Sequence, residues 1–426
     1  MSAWAGRTLH FVGIGGAGMR GWARVARQLG AEVSGSDRAD GPALAELREL
    51  GVTVHIGHAA EHVPEGAEVV YSSAVPADNP ERARARQRGW PERPRAELLR
   101  ELTALKRTLA VAGAHGKTTT TSMLAHALLE LGAEPGYLIG GTLSTTGLNA
   151  DWGLGEWLVV EADESDRSML ALDVEIAVVT NVELDHHATF GSLQEVEEVF
   201  RRFLAGAPQA VLPDEPAVLA LRAAEHPAIV FASPDPPLEL RVPGAHNQRN
   251  ASAALEALVL AGFDRVAAAA ALGSFGGAGR RFEELGRTAA GVRVVDDYAH
   301  HPTEVAATIA AARGVAAGRV VAVFQPHLFS RTQALAAEFG AALAAADVPV
   351  VLDVYPARER AADFPGVTGR LVAAAVADAR GGHGVLWLPG FSDVQRILPG
   401  LLHPDDLLLV LGAGDVDVLG RSLVAG

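Results

Sequence analysis

The sequence predicts an α/β protein of three domains, each built on a mostly parallel sheet. Three observations carry that expectation. Short, wholly apolar runs alternate with helical patterns from one end of the chain to the other. Polar, titratable residues follow directly after run upon run. The 426 residues are also too many for one ordinary core and suit two or three. Strands alternating with helices give right-handed βαβ units, and runs apolar at every position suit strands covered on both faces.

In the first block Thr8–Val12 reads as a buried strand, followed by a glycine turn, a helix over Met19–Leu29, and strands at Glu32–Ser36 and Val69–Ser73. The stretch Pro76–Arg95 has breakers, many charges and little apolar periodicity, so the first boundary is placed there. The second block opens with the strand Thr108–Ala112 and a helix over Thr118–Leu131. The runs Trp157–Val160 and Ile176–Thr180 and a helix over Ala251–Leu260 follow. Gly276–Arg281, glycine-rich and basic, marks the second junction. The third block gives strands at Val292–Val295, Val320–Phe324, Val350–Val354 and Leu407–Leu411, with helices over Thr303–Ala312 and Thr332–Ala346. The expected domains are 1–95, 96–284 and 285–426.

Composition narrows the function classes. Without cysteine there are no disulfides, thiolate metal sites or cysteine nucleophiles. A formal net charge of −15 repels polyanions, which argues against a nucleic-acid partner while leaving room for a basic pocket for small phosphates. No signal peptide and no membrane span are read, so a soluble, cytoplasmic protein is expected.

Gly13-Ile-Gly15-Gly16-Ala17-Gly18 has the spacing G-x-G-x-x-G between a strand and a helix, and Asp37 ends the next strand. Such glycines let the backbone approach a diphosphate at a helix N-terminus, so the first domain reads as Rossmann-like. Which nucleotide binds is not set by the motif. Gly113-Ala114-His115-Gly116-Lys117-Thr118-Thr119 repeats the strand–loop–helix context. Val111 stands where the common phosphate loop has its first glycine, but the working parts remain. Backbone N–H groups cradle phosphates, Lys117 reaches the β and γ oxygens, and the Thr118 hydroxyl suits Mg²⁺. The central domain therefore reads as P-loop ATPase-like.

Four acids in Glu161-Ala162-Asp163-Glu164-Ser165-Asp166 sit just past an apolar run. Glu161, nearest the strand, is the expected metal partner of Thr118. The next run ends in Asn181-Val182-Glu183-Leu184-Asp185-His186-His187, a metal or general-base candidate. Asp296-Asp297-Tyr298-Ala299-His300-His301 and Gln325-Pro326-His327-Leu328-Phe329-Ser330-Arg331 repeat the pattern in the third block, whose architecture is again expected to be Rossmann-like.

Taken together, HFVGIGGAGM at His10–Met19, GAHGKTTTTSM at Gly113–Met123, EADESD at Glu161–Asp166 and PGAHNQRNASAA at Pro243–Ala254 resemble the Mur ligase family. GRRF at Gly279–Phe282, DDYAHHPTE at Asp296–Glu304, QPHLFSR at Gln325–Arg331 and GAGD at Gly412–Asp415 extend the resemblance over nearly the whole chain. It points to the alanine-adding branch and implies ATP-dependent ligation of L-alanine to the lactoyl carboxylate of UDP-N-acetylmuramate. By resemblance, Gly15, Gly16, Ala17 and Gly18 meet the diphosphate, with Asp37, His58 and Ser73 near the nucleotide or sugar. Lys117 contacts ATP, Thr118 and Glu161 hold one Mg²⁺, and Glu161 and His186 a second. Asn250 faces adenine, Arg281 the γ-phosphate and Asp297 the ribose, while His300, His327 and Arg331 close over L-alanine. Either His300 or His186 serves as the base. A monomer or weak homodimer is expected. Two departures stand out: Leu328 occupies a position that is often basic in the family, and Arg201 and Arg202 lie where several relatives carry a carbamylated lysine. Three competing readings are a relative that adds a whole peptide to the same nucleotide sugar, an NAD-dependent oxidoreductase and a non-catalytic ATP-binding switch. The second leaves Lys117–Thr121 unexplained, and the third gives the strand-end clusters no purpose.

Overall fold

The structure, a computed structural model, describes residues 3–72, 74–184 and 189–425. Three sheets follow one another along the chain. The first contains β1 (Thr8–Val12), β2 (Glu32–Asp37), β3 (Thr53–Ile56), β4 (Glu68–Tyr71) and β5 (Glu92–Pro94), all parallel in the order β3-β2-β1-β4-β5. The second contains β6 (Arg107–Ala112), β7 (Gly136–Leu138), β8 (Ala150–Asp151), β9 (Trp157–Glu161), β10 (Ile176–Val179), β11 (Gln209–Pro213) and β12 (Ala228–Phe231). Its order is β12-β11-β10-β6-β9-β7-β8, antiparallel at the β7–β8 edge. The third contains β13 (Glu283–Arg287), β14 (Arg293–Asp297), β15 (Val320–Phe324), β16 (Val348–Val351), β17 (Leu386–Trp387) and β18 (Leu407–Leu411). Its order is β13-β14-β18-β15-β16-β17, antiparallel at the β13 edge.

The chain divides into two compact units, Met1–Leu238 with Asn250–Phe275, and Glu239–Arg249 with Gly276–Gly426. The first two sheets belong to the first unit and the third sheet to the second. The central strands β1, β6, β9, β10, β15 and β18 are buried almost throughout. That double-sided burial is why they read as unbroken apolar runs rather than alternating ones. In each sheet the strand ends that carry the polar motifs lie together at the carboxyl edge, where doubly wound sheets hold ligands.

Two stretches differ from expectation. Pro76–Arg95 is structured: a helix spans Pro80–Arg88 and β5 completes the first sheet. Asn79 caps this helix by accepting from Glu81 N and Arg82 N at 3.0 and 3.3 Å, Pro80 fills its first turn, and Gly89 ends it at φ 68°. The charges that hid it pair internally, Arg82 and Arg86 both reaching Glu92. The helix expected over Thr332–Ala346 is broken at Leu335 into Phe329–Ala334 and Ala336–Leu343.

Gly35 on β2 pairs with Phe11 on β1, and a Cβ there would stand 2.5 Å from the Phe11 carbonyl and 2.6 Å from Ile14 Cδ1. Gly35→Ala is therefore expected to destabilise the first unit by roughly 1–3 kcal/mol, the usual cost of overpacking. A denaturant midpoint equal to that of the wild type would refute the tight fit.

Candidate active site

The first glycine loop leaves β1 and enters the helix Ala17–Gln28. Gly13 N and Ile14 N donate to Ser36 O at 2.8 and 2.9 Å, and Gly15 N donates to Asp37 Oδ2 at 2.8 Å. Gly16 N turns back to Gly13 O at 3.1 Å. The N–H groups of Gly15 and Gly16 thus hold the loop itself. Those of Ala17, Gly18 and Met19, in the first helical turn, have no intrahelical acceptor and are the ones left for an anion. Asp37 acts as the brace of this loop.

Arg95, at the first position of the helix Arg95–Thr103, lies so close over Gly18 that a Cβ there would be 2.9 Å from its guanidinium. A cavity of about 140 Å³ opens between the first two sheets, lined among others by Gly18, Arg95, Gly140, Asn149, Glu161 and Asp163. One continuous space therefore joins the first glycine loop to the acidic end of β9.

The second glycine loop is pressed against its neighbours. A Cβ on Gly113, at φ 145°, would stand 2.0 Å from Thr180 Oγ1, and one on Gly116, at φ 82°, 2.6 Å from Asn250 Oδ1. Asn181 clamps the loop by accepting from His115 N at 3.0 Å and donating to His115 O at 2.8 Å. Lys117 donates to Gly113 O and to both oxygens of the buried Glu164, at 3.2 and 3.0 Å. Burial opposes the ammonium charge, but Glu164, Asp163 and Glu161 outweigh it and hold the lysine above its ordinary pKa. Thr118 Oγ1 donates to Glu161 Oε2 at 3.2 Å, and Gly140 N donates to Glu161 Oε1 at 2.6 Å.

In the second unit, Arg280 binds the buried Asp296 at 3.1 Å and the carbonyls of Gly414 and Gly412 at 2.9 and 2.7 Å. Asp297 accepts from Phe282 N and Ala299 N, each at 2.8 Å, which fixes the basic turn to the end of β14. Burial raises Asp296 to about 7 and Asp297 to about 6, against the nearby arginines. Arg281 lies over Tyr298, 5.2 Å from its ring centre, and 3.9 Å from Glu304. His300 Nδ1 is 3.0 Å from Tyr298 O and 3.2 Å from Glu304 Oε2. Its ring meets His327 edge-on at 6.1 Å, and His327 stacks on Tyr355. Burial, Arg331 and Arg281 bring His300 down to about 4 although Glu304 pulls the other way. Burial, His300, Arg331 and Arg358 bring His327 to about 4. Both rings are neutral at neutral pH.

Comparison with known proteins gives the same order of parts. The description "Mur ligase family, catalytic domain" matches residues 8–107, "Mur ligase middle domain" residues 111–236, and "Mur ligase, glutamate ligase domain" residues 280–414. The chain belongs to the Mur ligase family. This Mur ligase is 45% identical to the UDP-N-acetylmuramate–L-alanine ligase of Streptomyces griseus, over 97% of this chain and 96% of that one. It is 44% identical to the enzyme of the same name from Thermobifida fusca, over 98% and 96%. A solved UDP-N-acetylmuramate–alanine ligase from Thermotoga maritima superposes with a TM-score of 0.82 at 27% identity, covering 98% of each chain.

Of the residues singled out from the sequence of this Mur ligase, Gly15–Gly18, Asp37 and His58 gather at the edge of the first sheet, and Gly113–Thr119, Glu161 and Asn250 around the second loop. Arg281, Asp297, His300, His327 and Arg331 lie together in the second unit, Arg331 buried on its short helix. Ser73 and His186 lie outside the described residues. Sequence reasoning missed Glu164, because nearness to the strand put Glu161 first among the four neighbouring acids. It also missed Arg95, whose signal is a basic residue opening a helix against the macrodipole.

His327 makes the stability of the fold depend on pH. Between its ordinary 6.5 and about 4 the unfolded chain binds a proton that the fold rejects, so acidification through this window destabilises the protein. Asp296 and Asp297 work in the opposite sense but are common to wild type and variant. Between about pH 7 and about pH 4.5, His327→Gln should lose several degrees less in Tm than the wild type. Parallel Tm curves would contradict the shift.

Proposed function

We propose that this Mur ligase joins L-alanine to the lactoyl carboxylate of UDP-N-acetylmuramate at the expense of ATP, through an acyl phosphate, in the synthesis of peptidoglycan precursors. The observation that carries the reading is the likeness, at 45% identity over nearly the whole chain, to ligases of that name. The cavity that joins the first glycine loop to the acidic end of β9 supports it, because Glu161 there is hydrogen-bonded to Thr118 of the second loop, so a nucleotide-bound acid can be led to a triphosphate.

In this reading the first loop and Arg95 take the diphosphate, Asp37, His58 and Ser73 belong to the UDP-sugar site, and the cavity leads the lactoyl carboxylate toward Glu161. Gly113, Ala114, His115, Gly116 and Thr119 cradle the triphosphate with Lys117. Asn250, Arg281 and Asp297 serve adenine, γ-phosphate and ribose. Thr118 and Glu161 fit Mg²⁺: both offer oxygen, and their 3.2 Å separation is close to the roughly 3 Å between neighbouring ligands of an octahedral ion. His186 is assigned to a second ion. Bound there, Mg²⁺ supplies positive charge to the phosphate oxygens. Domains at 1–95, 96–284 and 285–426, a cytoplasmic location and a monomer or weak dimer complete the reading.

The lactoyl carboxylate attacks the γ-phosphorus and ADP leaves. Two unit charges at ~4 Å repel by about 4 kcal/mol at an effective dielectric near 20, so Lys117 and Arg281 are needed to bring the anions together. The amine of L-alanine, held by Arg331 through its carboxylate, then attacks the acyl carbon and phosphate departs. Of the candidate proton acceptors His186 and His300, His300 is neutral with a lone pair to offer. Its pKa of about 4 is set by burial and the arginines and is open to being raised by an acyl-phosphate anion bound beside it. Its Nδ1 proton is directed to Tyr298 O with Glu304 alongside, which leaves Nε2 as the acceptor and a carboxylate to steady the imidazolium. His327 packs beside it. With Leu328 in place of a basic residue, recognition of the amino acid rests more heavily on Arg331.

The test is phosphate release with ATP, Mg²⁺ and UDP-N-acetylmuramate in the presence of L-alanine or of a murein tripeptide. L-Alanine dependence is expected, with a loss of ~10³-fold or more in Lys117→Ala. Turnover with the tripeptide but not with L-alanine would overturn the assignment, and undiminished activity in the variant would remove Lys117 from the chemistry.

A further inference from the structure

The carboxyl edge of the first sheet hides a carboxylate that the mechanism does not use. Glu81, second residue of the helix Pro80–Arg88, is completely buried. Three histidines surround it. His58 Nδ1 is 3.4 Å from Oε2, His62 Nδ1 is 3.5 Å from Oε1, and the fully buried His10 Nε2 is 3.7 Å from Oε2. Ala59 N donates to Oε1 at 3.3 Å, and the Ser36 hydroxyl donates to Oε2 at 2.6 Å. Burial pushes the Glu81 carboxyl up, yet His10, Ser36 and His58 together bring it below its ordinary value, so it is ionised. Its place in the first turn of a helix favours the same charge state.

That charge has a consequence for His58. An ionised carboxylate only accepts, so the single Ser36 proton is committed to Glu81. Ser36 Oγ is also 2.8 Å from His58 Nδ1 and has only acceptor capacity left for it. His58 Nδ1 must therefore carry a proton, and in the neutral ring that leaves Nε2 as a lone-pair acceptor. The His58 side chain is 20% exposed. His58 follows Gly57, whose N–H donates to Asp37 O at 2.7 Å, and Asp37 in turn braces Gly15. From the loop on β1 to the end of β3 is two strand spacings, roughly 10 Å, a span that a nucleoside attached to a loop-bound diphosphate covers.

We propose that Glu81 is a positioning residue which, through the Ser36 hydroxyl, locks His58 in the tautomer whose outer nitrogen accepts a hydrogen bond, and that this nitrogen selects a donor at the nucleoside end of the substrate. The donor is a base N–H or a ribose hydroxyl. A phosphate oxygen, which only accepts, is rejected there. The inference rests on the first sheet holding a uridine diphosphate sugar, but the relay itself does not.

Two measurements on the full chain separate these parts. The ¹⁵N shifts of His58 without ligand report the tautomer: the wild type should show a protonated Nδ1 and a bare Nε2, and Glu81→Gln, whose amide can donate to Ser36, should reverse this. A wild-type proton on Nε2, or no change in Glu81→Gln, overturns the relay. Calorimetry with UDP, CDP and 2′-deoxy-UDP then tests the contact. Wild type should bind one of the two analogues about tenfold more weakly than UDP, CDP if the base N–H is read and the deoxy analogue if the hydroxyl is. Ser36→Ala, the milder substitution, should lose most of that discrimination while binding ATP as before. Equal binding of all three nucleotides by the wild type, or full discrimination retained in Ser36→Ala, overturns the contact. Failure of the wild type to bind UDP sinks the substrate reading and the contact with it, and the ¹⁵N spectrum still decides the relay.

Discussion

The second glycine loop of this Mur ligase closes only because no Cβ stands at positions 113 and 116. Thr180 Oγ1 and Asn250 Oδ1 occupy the space where those atoms would be, and Asn181 ties His115 from both sides. The loop is thereby wedged between the residues that follow β10 and the helix Ala245–Leu260, and this packing sets its conformation. Everything chemical in the first unit is measured from that wedge. Lys117 is delivered to Glu164, Thr118 to Glu161, and Gly140 comes near enough to donate to the same carboxylate. A site organised before substrate arrives spends little of the binding energy on ordering itself.

Buried charge is handled differently at each sheet edge. In the first, Glu81 stays ionised on a hydroxyl and three imidazoles. In the second, the buried Glu164 and Lys117 neutralise each other. In the third, Asp296 and Asp297 are driven upward by burial while holding Arg280 and the backbone of the basic turn. Such groups are costly unless partnered, and here each partner also aims a residue of the site. The overall charge of −15 therefore says little about the site, where cations are gathered against the general field.

Much of this was legible in the sequence. Strands buried on both faces announce themselves as apolar runs, so β1, β15 and β18 fall where their composition predicts. Glycine loops between strand and helix signal their chemistry by spacing. Features that depend on partners distant in the chain were not legible. Nothing local distinguishes Glu164 from Asp163 or Asp166, because what selects it is the reach of a lysine 47 residues away. The helix at Pro80–Arg88 lacks an apolar stripe, being held by Asn79 and by ion pairs to Glu92. The Glu81 network joins β1, β2, the turn after β3 and a helix, and no single segment carries its pattern. The break at Leu335 likewise has no glycine or proline to betray it.

A loop wedged in this way predicts where triphosphate and metal sit. Anomalous diffraction from crystals grown with Mn²⁺ and a non-hydrolysable ATP analogue measures this directly. A manganese peak within ligand distance of both Thr118 Oγ1 and Glu161, roughly 2.0–2.2 Å, with phosphates along Gly113–Thr119, is the predicted result. A metal and phosphates bound away from Thr118 and Glu161 would contradict it.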